Sequence, residues 1–125
     1  MKKLMLLAGA AALMASPAFA DLASTLSTAQ THAGMASTQT DIAMAHKHLQ
    51  HAVNCLEGPS GKDFDAAAGN PCGKETSGAI DAATGAQKAK LTKIATDAKA
   101  GVGNSDLAAS QAAAKATADA IAAAK

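Results

Sequence analysis

The sequence predicts an all-α protein, an antiparallel three-helix bundle that becomes a four-helix bundle if its first helix is broken. Alanine, the residue with the highest helix propensity, fills most apolar positions. The larger apolar residues recur at helical spacing, as in the heptad series Met35, Ile42, Leu49 and Leu56. No stretch shows the alternating pattern of a strand, so helices are expected throughout.

The first 20 residues have the layout of a secretory signal peptide, which leaves residues 21–125 as a single helical domain. Two lysines precede an apolar run from Leu4 to Met14, and residues 18–20 form a small-x-small cleavage signal. The run has about 11 residues, whereas a membrane-spanning helix needs about 20. We therefore expect a bacterial protein exported to the periplasm, with no membrane attachment after the signal is cleaved.

The composition of residues 21–125 argues against nucleic-acid binding. Cleavage removes two of 11 lysines, so nine (11 − 2) face ten acidic residues, and there is no arginine. Phe64 is the only aromatic residue left. A near-neutral chain without arginine or stacking aromatics is a poor ligand for nucleic acid. Because alanines bury little area, we expect stability to need a covalent staple, a ligand or a homo-oligomer.

The first predicted helix runs from about residue 22 to 56, with a weak point at Gly34 where it bends or breaks. A loop rich in glycine and proline follows over residues 57–78. A second helix is predicted from about Ser77, a candidate N-cap, to the glycines at 101 and 103. Its apolar stripe comprises Ile80, Thr84, Gln87, Leu91, Ile94 and Ala98.

A third helix is predicted from the end of the second to Lys125. Asn104, Ser105 or Asp106 can provide its N-cap, since each carries a side-chain oxygen. Short connections between the second and third helices favour antiparallel neighbours.

The only two cysteines are Cys55 and Cys72. In an exported chain two cysteines usually pair, and the disulfide would pin the loop to the end of the first helix. The closed loop of about 17 residues is worth roughly 3 kcal/mol in the chain-entropy model. A thiolate metal ligand and free thiols are the alternatives.

Unusual side chains concentrate in residues 32–55. All four histidines lie there, together with both methionines of the predicted mature chain and Cys55. On one helix, Met44, His48 and His51 share a face with Asp41, and His48 and His51 are close enough to bind one ion.

The other two histidines are predicted to act apart from this pair. His46 points to the opposite side of the helix, at the edge of the core. A straight helix puts His32 about 21 Å from His46. It therefore cannot gather all four histidines around one ion.

Imidazoles suit zinc, copper and nickel, and thioethers favour Cu(I), so a metal site leaning toward copper is predicted. The function predicted first is a periplasmic metal buffer, carrier or sensor. The loop acids Asp63 and Asp65, or a second chain, are further sources of donors. The candidate ligands are His48, His51, Met44, His46, His32 and Asp41.

Other functions remain open at this point. The histidines are alternatively exposed polar residues of a non-catalytic structural or interaction protein, with alanine-rich helices pairing against another chain. A b-type haem is a third reading, weakened by the lack of aromatics and of ligands on the later helices. No arrangement typical of an enzyme is present, so no catalytic residues are predicted.

The run from His48 to Pro59 (HLQHAVNCLEGP), with Phe64-Asp65 and Asn70-Pro71-Cys72, resembles a group of small exported bacterial proteins without an assigned function. The resemblance covers about residues 32–81 and implies no activity.

Overall fold

The structure of this protein is a computed structural model, and it describes residues 17–73 and 77–125. All regular structure in these ranges is helical. The elements are α1 (Pro17–Ser37), α2 (Ile42–Glu57), a 3-10 turn η1 (Ala66–Ala68), α3 (Ala79–Ala82), α4 (Gly85–Val102) and α5 (Leu107–Ala124).

The four long helices form a closed ring of neighbours. Helix α1 packs against α2 and α5, and α4 packs against the same two helices from the other side. The single-turn α3 fits against α1, α2 and α4. The prediction of an all-α bundle is confirmed, in its four-helix form.

The first predicted helix is broken, but not at Gly34. That glycine lies inside α1, and the break comes four residues later, between Ser37 and Ile42. The hydroxyls of Ser37 and Thr38 donate to carbonyls of the preceding turn, and Asp41 caps α2 by accepting from the amide of Met44 at 2.9 Å. Serine, threonine and aspartate compete with the helix for backbone hydrogen bonds, whereas one glycine costs only about 1 kcal/mol.

The second predicted helix is also divided. It begins at Ala79, with Gly78 rather than Ser77 as N-cap, and stops at Ala82. Helix α4 then starts at Gly85, with Thr84 in the N-cap position. Thr84 is therefore exposed rather than part of the apolar stripe, because its extended backbone turns it out of the helix.

The third predicted helix, α5, is capped by Asp106, whose carboxylate accepts from the amide of Ala109 at 3.1 Å. Asn104 contributes to the same turn by accepting from the amide of Asp106 at 2.9 Å. Of the three candidate caps, Asp106 therefore takes the role.

The predicted signal peptide falls largely outside the described residues, which begin at residue 17. Residues 17–20, at its predicted end, form the start of α1. Export and cleavage stay predictions. Among the described helices, none combines the length and apolar character needed to cross a membrane.

The core is built mostly from alanine, with a few leucines and isoleucines between the helices. One cluster centres on Leu26, Leu56, Leu91 and Ile121, and a smaller one surrounds Leu49. Met35, placed in the heptad series by the sequence, is not in the core, because 40% of it is exposed. The break between α1 and α2 interrupts the heptad register, so Met35 no longer shares a helix face with Leu49.

Small residues let the helices approach closely where they cross. Gly101, buried in the last turn of α4, is an example. A Cβ atom there would lie 2.6 Å from the Cβ of Ala113 and 2.8 Å from a methyl carbon of Leu49. Contacts that short require the neighbouring helices to move.

We predict opposite stability changes for alanine at two helical glycines. Gly101→Ala should lower the free energy of unfolding by about 1–3 kcal/mol through overpacking. Gly34→Ala, where a Cβ meets nothing within 4 Å, should raise it by about 0.5–1 kcal/mol through helix propensity. Urea denaturation of both variants measures the difference, and a stabilised Gly101→Ala would contradict the packing described above.

Candidate metal site

Three histidine side chains meet on the surface of the helical hairpin formed by α1 and α2. His32 comes from α1, while His48 and His51 stand one turn apart on α2. The Nδ1 atom of His32 lies 3.3 Å from the Nδ1 atoms of both His48 and His51. One donor atom from each ring falls within 4.8 Å of the others. We call these three residues the histidine triad.

The structure corrects the placement of His32. The sequence put it on a straight helix, about 21 Å from His46 and apart from the His48/His51 pair. Because the chain reverses between Ser37 and Ile42, α1 folds back along α2 and returns His32 to the level of His48. The predicted pair thus becomes a triad.

The spacing of the triad matches the coordination shell of a small metal ion. Zinc binds imidazole nitrogen at about 2.0–2.1 Å. At the corners of a tetrahedron, nitrogens at that distance are about 3.3–3.4 Å apart. Two of the Nδ1–Nδ1 distances are 3.3 Å. Without an ion, the Nδ1 atom of His32 has only one hydrogen or one lone pair for its two neighbouring nitrogens. A cation, in contrast, would accept a lone pair from each ring.

The orientation of His51 is fixed by a backbone carbonyl in the loop. Its Nε2 atom lies 2.6 Å from the carbonyl oxygen of Ala68, in η1. A carbonyl only accepts, so Nε2 carries the hydrogen and donates it. In the neutral ring the lone pair is then on Nδ1, the atom that faces the triad. Metal-binding histidines commonly have such a second partner, which sets the tautomer.

The loop that carries Ala68 is held by Asn54, a fully buried residue of α2. The Asn54 side-chain nitrogen donates to the carbonyls of Asp65 and Gly69, both at 2.8 Å. Its side-chain oxygen accepts from the amide of Asp65 at 2.9 Å. These bonds clamp both ends of η1, so the carbonyl of Ala68 faces His51.

Gln50 extends this hydrogen-bonded network to α4. Its side-chain nitrogen donates to Asn54 and to the carbonyl of Asp63, each at 2.9 Å. Its oxygen accepts from the ammonium of Lys99 at 2.8 Å. Every buried side-chain nitrogen or oxygen in the described residues has a hydrogen-bond partner, as a stable buried network requires.

The predicted disulfide between Cys55 and Cys72 is confirmed, with a Cα–Cα distance of 5.4 Å. It joins the residue after Asn54 to the far end of the same loop. The sulfur of Cys55 is therefore bonded and leaves the set of metal ligands.

Burial and the neighbouring charges favour the neutral, metal-binding form of two triad residues, His32 and His48. Burial lowers the pKa of His32 below its usual 6.5, and the nearby His51 and His48 lower it further. Burial is also the main cause of the lowered pKa of His48, with His51 and then Lys47 adding to it. A lowered pKa favours the neutral imidazole of His32 and His48 at pH 7, and a neutral imidazole has a lone pair that can bind an ion.

The remaining predicted ligands lie elsewhere. His46 is half-buried, with Nε2 at 2.7 Å from the carbonyl of Asn104 and 3.1 Å from the Ser110 hydroxyl oxygen. Asp41 serves as the N-cap of α2, 40% of Met44 is exposed, and neither is part of the triad.

The two loop acids also have other partners. Asp65 caps η1 by accepting from the amide of Ala67 at 2.9 Å. Asp63 lies 3.9 Å from the ammonium of Lys62.

Sequence reasoning missed the residues that support the triad. The sequence analysis gives Asn54 and Gln50 no role of their own, although both lie in the run from His48 to Pro59. The carbonyl of Ala68 belongs to the backbone and cannot be recognised from residue types. One signal was available: Asn54 stands beside Cys55, which the disulfide prediction already placed against the loop.

Comparison with known proteins identifies no relative for this chain: no family model, no curated protein and no solved structure matches it. The resemblance to small exported bacterial proteins stays a prediction. The case for a function therefore depends on the geometry of the histidine triad.

We predict that Asn54→Ala lowers both stability and metal affinity. Loss of the clamp leaves the carbonyls and amide around η1 without partners, at a cost of about 3 kcal/mol in the free energy of unfolding. Freeing the Ala68 carbonyl should weaken zinc binding by about 10–100-fold. Denaturation and zinc titration measure the two effects.

The matched control for that variant is Asn70→Ala. Asn70 makes similar hydrogen bonds within the same loop, to the carbonyl of Gly73 and the amide of Cys72, but touches no member of the triad. It should leave zinc affinity near that of the wild type. Equal losses in both variants would show that the loop as a whole, rather than the clamp, sets the affinity.

We also predict that the metal-free protein loses stability in mild acid. The pKa values of His32 and His48 are lower in the folded than in the unfolded chain, so the unfolded chain binds more protons below about pH 6.5. Their contribution is complete above that pH and falls as the pH drops toward the lowered values. Denaturation between about pH 5.5 and 7 should show this slope, reduced in a His32→Gln/His48→Gln variant. An unchanged slope would contradict the assignment.

Proposed function

We propose that this protein binds a transition-metal ion of the zinc, copper or nickel group at His32, His48 and His51, and that it serves as a buffer, carrier or sensor. The observation that carries the proposal is the position of His32 Nδ1, 3.3 Å from the Nδ1 atoms of both His48 and His51, with one ring nitrogen of each residue within 4.8 Å of the others. Imidazole nitrogen is a preferred ligand of these metals.

The surroundings of the triad support an exchangeable ion over a structural one. All three histidines are only half-buried, so an ion there is open to solvent on one side. A site with three protein ligands leaves a further position for an incoming group. The buried polar side chains of the described residues all have hydrogen-bond partners without an ion. The fold therefore does not depend on metal as a zinc finger does.

We propose a non-catalytic role in the periplasm. The predicted signal peptide and the disulfide both suit an oxidising compartment. Within the described residues, the triad is the one group of three or more histidine, cysteine, aspartate or glutamate side chains close enough to share an ion. Binding and release of the ion account for the site without a substrate.

Metal titration of purified protein tests the proposal. Wild-type protein should bind zinc or copper with one ion per chain and a dissociation constant of micromolar or below, equivalent to about 8 kcal/mol. His48→Ala/His51→Ala should lose about 100-fold or more, roughly 2.7 kcal/mol. His32→Ala should lose a comparable amount, since it supplies the third nitrogen.

His46→Gln provides the matched control, because His46 lies on the same helix but contacts Asn104 and Ser110 rather than the triad. It should retain wild-type affinity. Binding that is absent, or unchanged in the His48→Ala/His51→Ala variant, would refute the proposal. In that case a stable, metal-indifferent oligomer would favour an interaction protein, and a Soret band after hemin addition would favour a haem binder.

A further inference from the structure

The histidine triad lacks a fourth donor for a tetrahedral ion. The obvious candidates already have partners. Asp41 caps α2 and Asp65 caps η1, while both cysteines are joined in the disulfide. A carboxylate or thiolate from these positions is therefore not offered to the triad.

The two methionines of the described chain lie one turn from the triad, on the same side. Met35 follows His32 by three residues, and Met44 precedes His48 by four. The helices run in opposite directions, so both steps lead toward the turn that joins α1 and α2. At a rise of 1.5 Å per residue, Met35 lies about 4.5 Å along the α1 axis from His32, and Met44 lies about 6 Å along the α2 axis from His48. The 3.3 Å contact between His32 and His48 fixes this register.

Hydrophobic burial does not explain where these methionines are. Each has 40% of its surface exposed, and they are the only large apolar side chains left so open in the described residues. The core is short of large side chains and is filled with alanine. Two flexible thioethers held at the surface beside three imidazoles point to a role for sulfur.

The charge of the surroundings distinguishes between metal ions. Imidazole and thioether ligands are neutral, and the residue next to His48 in the sequence is the exposed Lys47. No acidic side chain belongs to the group of potential ligands. Because none of these ligands carries a negative charge to offset a second positive charge, a monovalent ion is less costly to bind than a divalent one. Among the metals that imidazole and thioether both suit, that ion is Cu(I).

We propose that the site selects Cu(I), and that a thioether sulfur from Met35 or Met44 takes the fourth position beside the three imidazole nitrogens. This inference rests on the proposed function and adds the identity of the ion and of its soft ligand. Because both thioethers are exposed to solvent, either sulfur can bind the ion as it enters or leaves the triad.

The direct test follows the methionine methyl groups by NMR while Ag(I), a redox-inert substitute for Cu(I), or Zn(II) is added. Met35→Leu and Met44→Leu assign the two signals. At one equivalent of Ag(I), at least one of the two should shift as its sulfur binds. Zn(II) should leave both near their metal-free positions. If the triad binds Ag(I) but neither methionine methyl signal shifts, the inference is overturned.

Affinities provide the second test. Met35→Leu/Met44→Leu conserves side-chain volume and should weaken Cu(I) binding, measured by competition with a Cu(I) chelator without oxygen, by at least about tenfold, roughly 1.4 kcal/mol. Zinc affinity should be unchanged. Ile42→Leu, a half-buried apolar position between the methionines, is the control and should leave both affinities at the wild-type level.

The outcomes distinguish a failure of this inference from a failure of the proposed metal binding. Equal Cu(I) affinity in the wild type and in Met35→Leu/Met44→Leu would overturn the thioether role while the metal site stood. Tighter binding of Zn(II) than of Cu(I) would overturn the assignment of the ion. A wild-type protein that binds neither ion would end both proposals.

Discussion

The reversal of the chain between Ser37 and Ile42 is the constraint on which the site depends. A helix that continued through these residues would keep His32 remote from His48 and leave only two imidazoles on one face. The turn is encoded locally, by hydroxyl side chains that end α1 and by the Asp41 carboxylate that starts α2. A few short-range hydrogen bonds thus decide whether His32 meets the His48/His51 pair.

A second constraint acts at the other end of the hairpin. Asn54 and Cys55 are consecutive residues of α2, and they hold the loop by different means. One donates and accepts hydrogen bonds around η1, and the other fixes the loop covalently at Cys72. An amide buried in a small alanine core would be costly without its partners, so the loop and the amide stabilise each other.

Much of the fold was predictable because helix propensity and apolar periodicity are local properties. The four-helix alternative, the disulfide and a cap at Asp106 are all observed. The position of the first break was wrong, since glycine was given more weight than the run of serine, threonine and aspartate. The same error separated His32 from His48, because a break moved by a few residues changes which side chains meet.

The supporting atoms of the site were beyond sequence reasoning for another reason. A backbone carbonyl such as that of Ala68 has no residue-specific signature, and its direction follows from tertiary contacts. The buried network around Gln50 likewise joins α2 to the loop and to Lys99 on α4. Such contacts between segments far apart in the chain cannot be read from helical spacing alone.

The bond between His51 and a main-chain oxygen bears on how this protein can change over evolutionary time. The three alanines of η1 contribute shape and a carbonyl, and none of their side chains is buried. Codon changes at these sites can therefore accumulate as neutral drift while the imidazole keeps its partner. Selection should fall instead on Asn54, so homologous chains would diverge in the loop and agree at the residue that holds it.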